Sequence, residues 1–368
     1  MAEDTRINTY PLTGPQGPSH QTHALQRLHS HLPTSLPLYR RLQAGRFHAK
    51  TSFVLSNVNL DFSNSDPDSN PNSKSNGQTE TEDSENDGRP WIIVFLDRSC
   101  RPETEAWWYG SYEAFPPSTF AIEAWRTIDS LVQRTVATIK ELPLPPSIHQ
   151  DFLDSSATTT QDDTANDTDA VGNSRNDYAG HMLDSNIMLW GAVHETTTKI
   201  LSGLGLVSSQ FKSGLVGNHA FIFDLADLPP ARELPEGLYW GDAVRPQDFA
   251  LVKSRTQIPR QDRTMATLPS LTIYSRGQEA PISWAFVGVD GSLTTLHVEP
   301  EWRGKGLAKA ITTKLFTEKM TGFWTEGKAK QAHGYVIVGN VASQKMCESL
   351  GGKSGWECYW LRVDLGKA

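Results

Sequence analysis

Leu296-His297-Val298-Glu299-Pro300-Glu301-Trp302-Arg303-Gly304-Lys305-Gly306-Leu307-Ala308 is the stretch whose reading decides the fold. A strand-like run, Ser292 to Val298, stops at a proline, and a glycine-spaced basic loop then opens an apolar helix from Gly304 to about Thr321. Glycines at such a point let backbone N–H groups approach an anion closely, and a helix N-terminus adds the positive end of its dipole. Arg303, Lys305 and Lys309 add charge around it. Physically this is a diphosphate cradle. It lacks the Gly-x-x-x-x-Gly-Lys-Ser/Thr of a nucleotide triphosphatase, and the Gly-x-Gly-x-x-Gly with a distant acidic residue of a dinucleotide fold.

Around the loop, Ser270–Tyr274 and Ile282–Val287 read as strands, and Asp290-Gly291 is a hairpin-turn dipeptide. His333–Val338 is a strand, Ser343–Leu350 a helix and Cys358–Val363 a closing strand. The first half runs in the same order. Residues 20–50 read as short helical pieces broken by Pro33 and Pro37, and Thr51–Leu55 as a strand. Trp91–Leu96 and Glu105–Tyr109 form a hairpin through Pro102. Phe120 to about Leu142 is a helix capped by Ser118 or Thr119 and ended by Pro143. Asn186–Trp190, Glu195–Gly203 and His219–Phe223 then read as strand, helix, strand. Trp190–Gly205 lines up with Val336–Gly351, each a strand, a small-residue turn, a helix and a Leu-Gly stop. An internal duplication is predicted, the alternative being that strand-turn-helix units resemble one another anyway.

Val298, Pro300, Arg303, Gly306 and Ala308 spell Val-x-Pro followed by Arg-x-x-Gly-x-Ala, which resembles the acyl-CoA pyrophosphate loop of the GNAT superfamily of N-acyltransferases. Downstream, Asn340-x-x-Ser343-x-x-Met346-Cys347-x-x-x-Gly351 is similar to that superfamily's later helix. Trp284, Pro300–Arg303, Ser354-Gly355-Trp356 and the early His31–Tyr39 segment resemble its glycine N-acyltransferase-like branch. The resemblance implies an α/β GNAT fold: a mixed, mostly antiparallel sheet flanked by helices, in two tandem GNAT-like halves. The N-terminal one, residues 1–230, would be degenerate, and residues 231–368 would bind the acyl-CoA. Gly110–Pro117 follows the first hairpin without any Arg-x-x-Gly-x-Ala, so one CoA per chain is expected.

That resemblance also implies roles. Acetyl-CoA or another acyl-CoA would be the co-substrate, and the acceptor a primary amine of a small molecule attacking directly. The backbone of Leu296 and Val298 would hold the pantetheine arm, with the Val298 N–H as oxyanion donor. Arg303, Gly304, Lys305, Gly306, Leu307 and Ala308 would hold the pyrophosphate, with Asn340 and Ser343 near the arm. The carboxylate some relatives use as base falls on Ser292. Asp290, two residues earlier, either acts through a water or serves the turn. The usual tyrosine acid falls on Cys347, whose thiol either donates a proton or fills the core. His297 should point away from Val298.

Charge and composition narrow the remaining classes. Residues 61–88 and 154–180 carry formal balances of -7 and -5 and few large apolar side chains, so they read as disordered acidic inserts. Removed from a total of -8, they leave a body at +4. Three irregularly spaced cysteines exclude a disulfide scaffold and suit a reducing compartment. No long apolar run or leader-like N-terminus is present, so a soluble cytoplasmic chain without membrane contact is expected. His20, His23, His29, His31 and His48 lack metal-ligand spacing, and no metal is expected. No Gly-x-Ser-x-Gly elbow occurs, and aromatic residues are not interleaved with basic ones, which leaves hydrolase and nucleic-acid readings unsupported. Two rivals remain: a catalytically silent acyl-CoA-binding or regulatory module, and a protein N-acetyltransferase whose acidic inserts recruit a basic partner.

Overall fold

The computed structural model describes residues 6–61, 89–150, 178, 180–211, 215–230, 232–256 and 258–368. Apart from Asp61, Tyr178 and Gly180, the two acidic inserts lie outside the described residues. Six strands come from each half: β1 (Asn8–Pro11), β2 (Ser52–Ser56), β3 (Ile92–Asp97), β4 (Ala106–Gly110), β5 (Ile187–His194) and β6 (Asn218–Asp224), then β7 (Leu238–Gly241), β8 (Ser270–Ser275), β9 (Ser283–Val287), β10 (Ser292–Val298), β11 (Gln331–Ile337) and β12 (Lys353–Asp364). They form one mixed sheet in the order β1-β2-β3-β4-β5-β12-β6-β11-β10-β9-β8-β7. Replacing each strand by its counterpart six places on reverses that order, so the sheet has a pseudo-twofold through its middle. The last strands are exchanged across it: β12 pairs with β5 and β6 with β11, and the two pair with each other.

The chain is thus an α/β protein of two tandem GNAT-like halves with a mostly antiparallel sheet. Period-two burial explains the layering. On β3, Ile92, Val94 and Leu96 face the helix α3 (Ile122–Glu141), packing with its Leu131, Val132 and Val136. Ile93 and Phe95 face the other way, onto Leu28 of α1 (Gly17–His29) and Leu38 and Leu42 of α2 (Leu36–Gln43). In the second half Leu271, Ala285 and Val287 pack with Leu307 and Ile311 of a helix after the glycine loop. Trp284 and Phe286 face Phe249 and Val252, from a short helix, on the opposite side.

Both halves carry one parallel pair, and both are short. β4 meets β5 at Ala106–Trp190 and Trp107–Gly191, and β10 meets β11 at Ser292–His333 and Leu293–Gly334. A glycine occupies the same rung each time. A Cβ on Gly334 would stand 3.2 Å from Leu293 Cβ, and one on Gly191 2.6 Å from Thr104 Cγ2. This register matches Trp190 with His333, whereas the expected alignment set it against Val336. The helices do align as expected, α4 (Glu195–Gly203) with α8 (Val341–Glu348), because β5 runs straight into its cap while residues 338–340 separate β11 from α8. Both caps use a side chain: His194 Nδ1 accepts the Thr196 N–H and Asn340 Oδ1 the Ser343 N–H.

Several local expectations are corrected. Ser118 and Thr119 lie in a 3-10 turn, and α3 begins after Ala121 with no side-chain cap. Pro37 sits inside the first turn of α2, where its missing N–H costs nothing, rather than breaking a helix. The edge strands β1 and β7 are four residues each, too short for a periodic signal. Numbering of the remaining helices follows the chain: α5 (Phe249–Ser254), α6 (Asp262–Met265) and α7 (Leu307–Lys314). Gly304–Gly306 form a turn ahead of α7, which continues as a π-helical stretch to Lys319. No helix among the described residues is long and apolar enough to cross a membrane.

Candidate active site

Beyond their two shared rungs β10 and β11 part, because β10 bulges between Thr294 and His297. Thr295 holds φ +54°, a left-handed conformation that a β-branched residue adopts only when its surroundings impose it. A cavity of about 1230 Å³ opens into the resulting wedge, and Leu296, Val298, Tyr335, Ile337 and Ser343 line it.

At the far end of β10 the chain turns through the glycine loop. Gly304 and Gly306 have φ of +76° and +80°, and a Cβ on either would meet nothing within 4 Å. Gly306 is the N-cap of α7, no side chain caps its first N–H groups, and no acidic residue stands in its first turn. The positive end of the helix dipole is therefore not countered by a side chain of its own first turn. The exposed Arg303 donates from Nε to the Val298 carbonyl at 3.0 Å, fastening the loop to the strand end. Lys305 Nζ sits 4.2 Å from the Trp302 ring centroid. Asn340 and Ser343 reach the same cavity from the start of α8.

Asp290 and Ser292 lie at the opposite end of β10, and the structure brings them together. Ser292 donates from Oγ to Asp290 Oδ1 at 2.6 Å, and its N–H reaches the same oxygen at 3.2 Å. Tyr335 donates its hydroxyl to Asp290 Oδ2 at 3.1 Å, and His333 Nε2 stands 3.8 Å from that oxygen. Burial pushes the Asp290 carboxyl upward, but the neighbouring His333 ring and the two Ser292 hydrogen bonds outweigh it, and the net shift is downward. Asp290 is therefore an ionised carboxylate that nevertheless lines the cavity.

Cys347 reaches the cavity from α8 while packed in the core with Phe223 and Leu350. Burial raises its thiol to about 12. His297 stacks on Trp284 at 4.6 Å, its Nε2 3.5 Å from Glu299. His48 Nδ1 lies 2.9 Å from Asp97 and 3.7 Å from Cys100 Sγ. These three could approach a metal ion together, although Asp97 already accepts from Ser52 and Ser99 as well. All three cysteines are free.

Sequence reasoning missed Tyr335, His333, Arg41 and Arg260. Tyr335 sits on an anticipated strand, yet only the β10–β11 register reveals that it faces Asp290. Arg41 comes from α2 of the other half and had no local signal.

A splayed strand pair, a glycine loop opening a helix and a tandem sheet fit the GNAT superfamily, and the family comparison supports an acyl-CoA-dependent transferase. The family model described as the acyl-CoA N-acyltransferase verG N-terminal domain matches residues 8–227, and the chain belongs to that family. A second model, FR47-like protein, matches residues 270–361. No curated protein matches. Among solved structures, a Drosophila protein is similar over 97% of this chain and 98% of its own, with TM-score 0.52 and 11% identity, a likeness of fold. A tandem GNAT protein from the clavulanic acid biosynthesis pathway covers 97% and 98% with TM-score 0.44 and 11% identity. A GCN5-related N-acetyltransferase from Sphaerobacter thermophilus covers 98% and 96% with TM-score 0.42 and 11% identity.

Proposed function

We propose that the protein transfers an acyl group, acetyl by preference, from acyl-CoA to the primary amine of a small molecule by direct attack. The observation that carries this reading is the pairing of a cradle and a carboxylate at opposite ends of one bulged strand. Kinship with the glycine N-acyltransferase-like branch rests on sequence motifs. Residues 231–368 hold the CoA in this reading, and residues 1–230 complete the chamber.

The pyrophosphate lies against the N–H groups of Gly304 to Ala308, with Arg303 and Lys305 supplying charge. The pantetheine arm follows the strand edge at Leu296 and the Val298 N–H, the Val298 carbonyl being held by Arg303, and passes Asn340 and Ser343. The Val298 N–H then stabilises the oxyanion that forms as the amine adds to the thioester carbonyl. The amine gives its proton to Ser292 Oγ as the serine passes its own proton to Asp290, so serine and aspartate act as one base. The departing thiolate is protonated from solvent entering the chamber. A thiol held near 12 is too weak a donor for that step, so Cys347 is assigned to packing.

The test is calorimetric titration of acetyl-CoA into the wild type and Gly306→Asp. Asp at φ +80° carries both backbone strain and a negative charge toward the pyrophosphate. Affinity should fall by about 100-fold or more, on the order of 3 kcal/mol, with the fold retained. Equal binding by both proteins, or none by the folded wild type, would remove the cradle.

A further inference from the structure

The inner end of the cavity is built from both halves, and what it leaves unpaired has one chemical character. Arg41, on α2 of the first half, is 3% exposed. It lines the cavity. Its guanidinium lies over Phe95, 3.9 Å from the ring centroid, and near Trp107 at 5.2 Å. Its Nη2 donates to the Arg46 carbonyl at 3.1 Å, but Nε and Nη1 are buried without an acceptor. Arg260, just ahead of α6, donates from Nη2 to Thr294 Oγ1 at 2.9 Å on the bulge of β10, and its Nε is likewise buried and unpaired. Trp107, also on the lining, has an unpaired indole N–H. Neither arginine forms an ion pair among the described residues.

Buried donors are almost always satisfied in a folded protein, and leaving one unmade costs roughly 1–3 kcal/mol. Four vacant donor atoms on residues that line the cavity, Arg41 Nε and Nη1, Arg260 Nε and Trp107 Nε1, thus ask for a ligand that brings acceptors. Among the described residues the lining holds no lysine, and seven arginines against the two carboxylates Glu103 and Asp290. Guanidinium groups, unlike ammonium, present planar paired donors suited to a carboxylate, phosphate or sulfonate. Arg40 places Arg41 there. It donates to the carbonyls of Phe323 and Gln331, and its Cβ packs 3.0 Å from where a Gly291 Cβ would be, so α2 is clamped onto the Asp290 turn.

These donors are not part of the pyrophosphate cradle. Burial works against the Arg41 charge, and the carboxylates Asp97 and Asp290 offset part of that. Asp290 precedes β10 while the cradle follows it, and strand rise of about 3.3 Å per residue separates the two by roughly 20 Å or more.

We infer that the acceptor amine carries an anionic group, seated between Arg41 of the first half and Arg260 of the second, while its nitrogen faces Ser292 and Asp290. The first half, without a cradle of its own, therefore supplies acceptor specificity. This rests on the transferase reading of the same site.

Matched probes test it in the full chain. N-acetylphenylalanine and N-acetylphenylalaninamide, titrated into the CoA complex, read the anion seat with no need for turnover. Phenylalanine against phenylalaninamide, and phosphoethanolamine against ethanolamine, read it in acetyl transfer. The anionic member of at least one pair should be favoured about 10-fold or more. Arg41→Met and, because Arg41 is a core residue, the half-buried Arg260→Met should each abolish that preference, mainly through KM, with acetyl-CoA affinity unchanged. No preference of the wild type for the anionic member of any pair, or an unchanged preference in both folded variants, overturns the inference. Succinyl-CoA separates the other source of an anion: a gain in its binding over acetyl-CoA that disappears in Arg41→Met would assign the seat to the acyl group and overturn it too. Anion-selective, Arg41-dependent binding without transfer in any pair would keep the seat and sink the transferase reading.

Discussion

The two halves build the same strand fork and fill it oppositely. Where the second half leaves β10 and β11 apart, the first closes the gap between β4 and β5 with rings. Trp108 and Trp190 stack there at 5.5 Å with planes 17° apart. Trp108 donates from its indole to Tyr112 at 3.2 Å, and the Tyr112 hydroxyl meets Thr197 Oγ1 at 2.9 Å. By register the counterparts of Trp108 and Trp190 are Thr294 and His333, a small side chain and a ring turned to Asp290. The chain leaving β4 then coils into a 3-10 turn that buries Glu113, while the chain leaving β10 has the glycine cradle. Backbone topology alone thus does not make a cleft. It makes a fork, and the side chains on the next rungs decide whether it is core or cleft.

The comparison breaks most easily at Trp108. If the first fork is core, Trp108→Ala should lower unfolding free energy by about 3–5 kcal/mol in urea titration, through lost burial and the cavity left behind. Acetyl-CoA stoichiometry should stay at one per chain, since no cradle follows β4. A second binding event in the variant would show that the rings alone had blocked a latent site. Next in size is the cleft's own carboxylate. Asp290→Asn keeps the shape and removes the charge that takes the serine's proton, so kcat should fall about 100-fold while acetyl-CoA affinity holds. An unchanged kcat would return Asp290 to the turn.

How much of this contrast was legible in the sequence differs between the halves. The glycine turn and the helix it opens were, because both follow from the spacing of a single local loop. The tandem order was too, since strand and helix periods repeat. The exchange of β6 and β12 was not: both are ordinary strands, and only their partners reveal the crossing. Tyr335 and Arg41 were invisible for the same reason, one depending on register and the other on a helix clamped across the pseudo-twofold. The plugged fork was half legible, as a missing motif but not as a stack of tryptophans.

Buried carboxyls sharpen the comparison from another side. Asp290 is held ionised, whereas burial raises Glu113 to about 8 despite the bond it accepts from Thr197. Both folded and unfolded chains are protonated there below about pH 4.5, so nothing is lost. As pH climbs from 4.5 toward 8 the unfolded chain releases that proton first, and folding stability drains away. Glu113→Gln should remove this slope, gaining on the order of 2 kcal/mol over the wild type between pH 5 and 8 in denaturant melts. A constant gap across that range would mean Glu113 is ionised in the fold.

The smallest effect is the most pointed about chemistry. Cys347 stands on α8 and lines the cavity, and both roles for it, proton donor or packing, begin from that position. Its surroundings separate them. The side chain is packed with Phe223 and Leu350, and burial raises the thiol to about 12, above the ordinary thiol value near 8.5. A donor that holds its proton more tightly than the departing thiolate would accept it makes the transfer uphill, so removing it should cost almost no rate. Cys347→Ala should therefore change kcat less than about threefold, with about 1 kcal/mol of stability lost to the missing sulfur's contacts. The decisive comparison is the limb of the pH profile above 8. If the thiol were the acid, kcat would fall in the variant by about 100-fold and the alkaline limb would shift. A cleft whose acid comes from solvent keeps that limb where it is, and Asp290, held below the ordinary carboxylate value, then acts only on the acid limb.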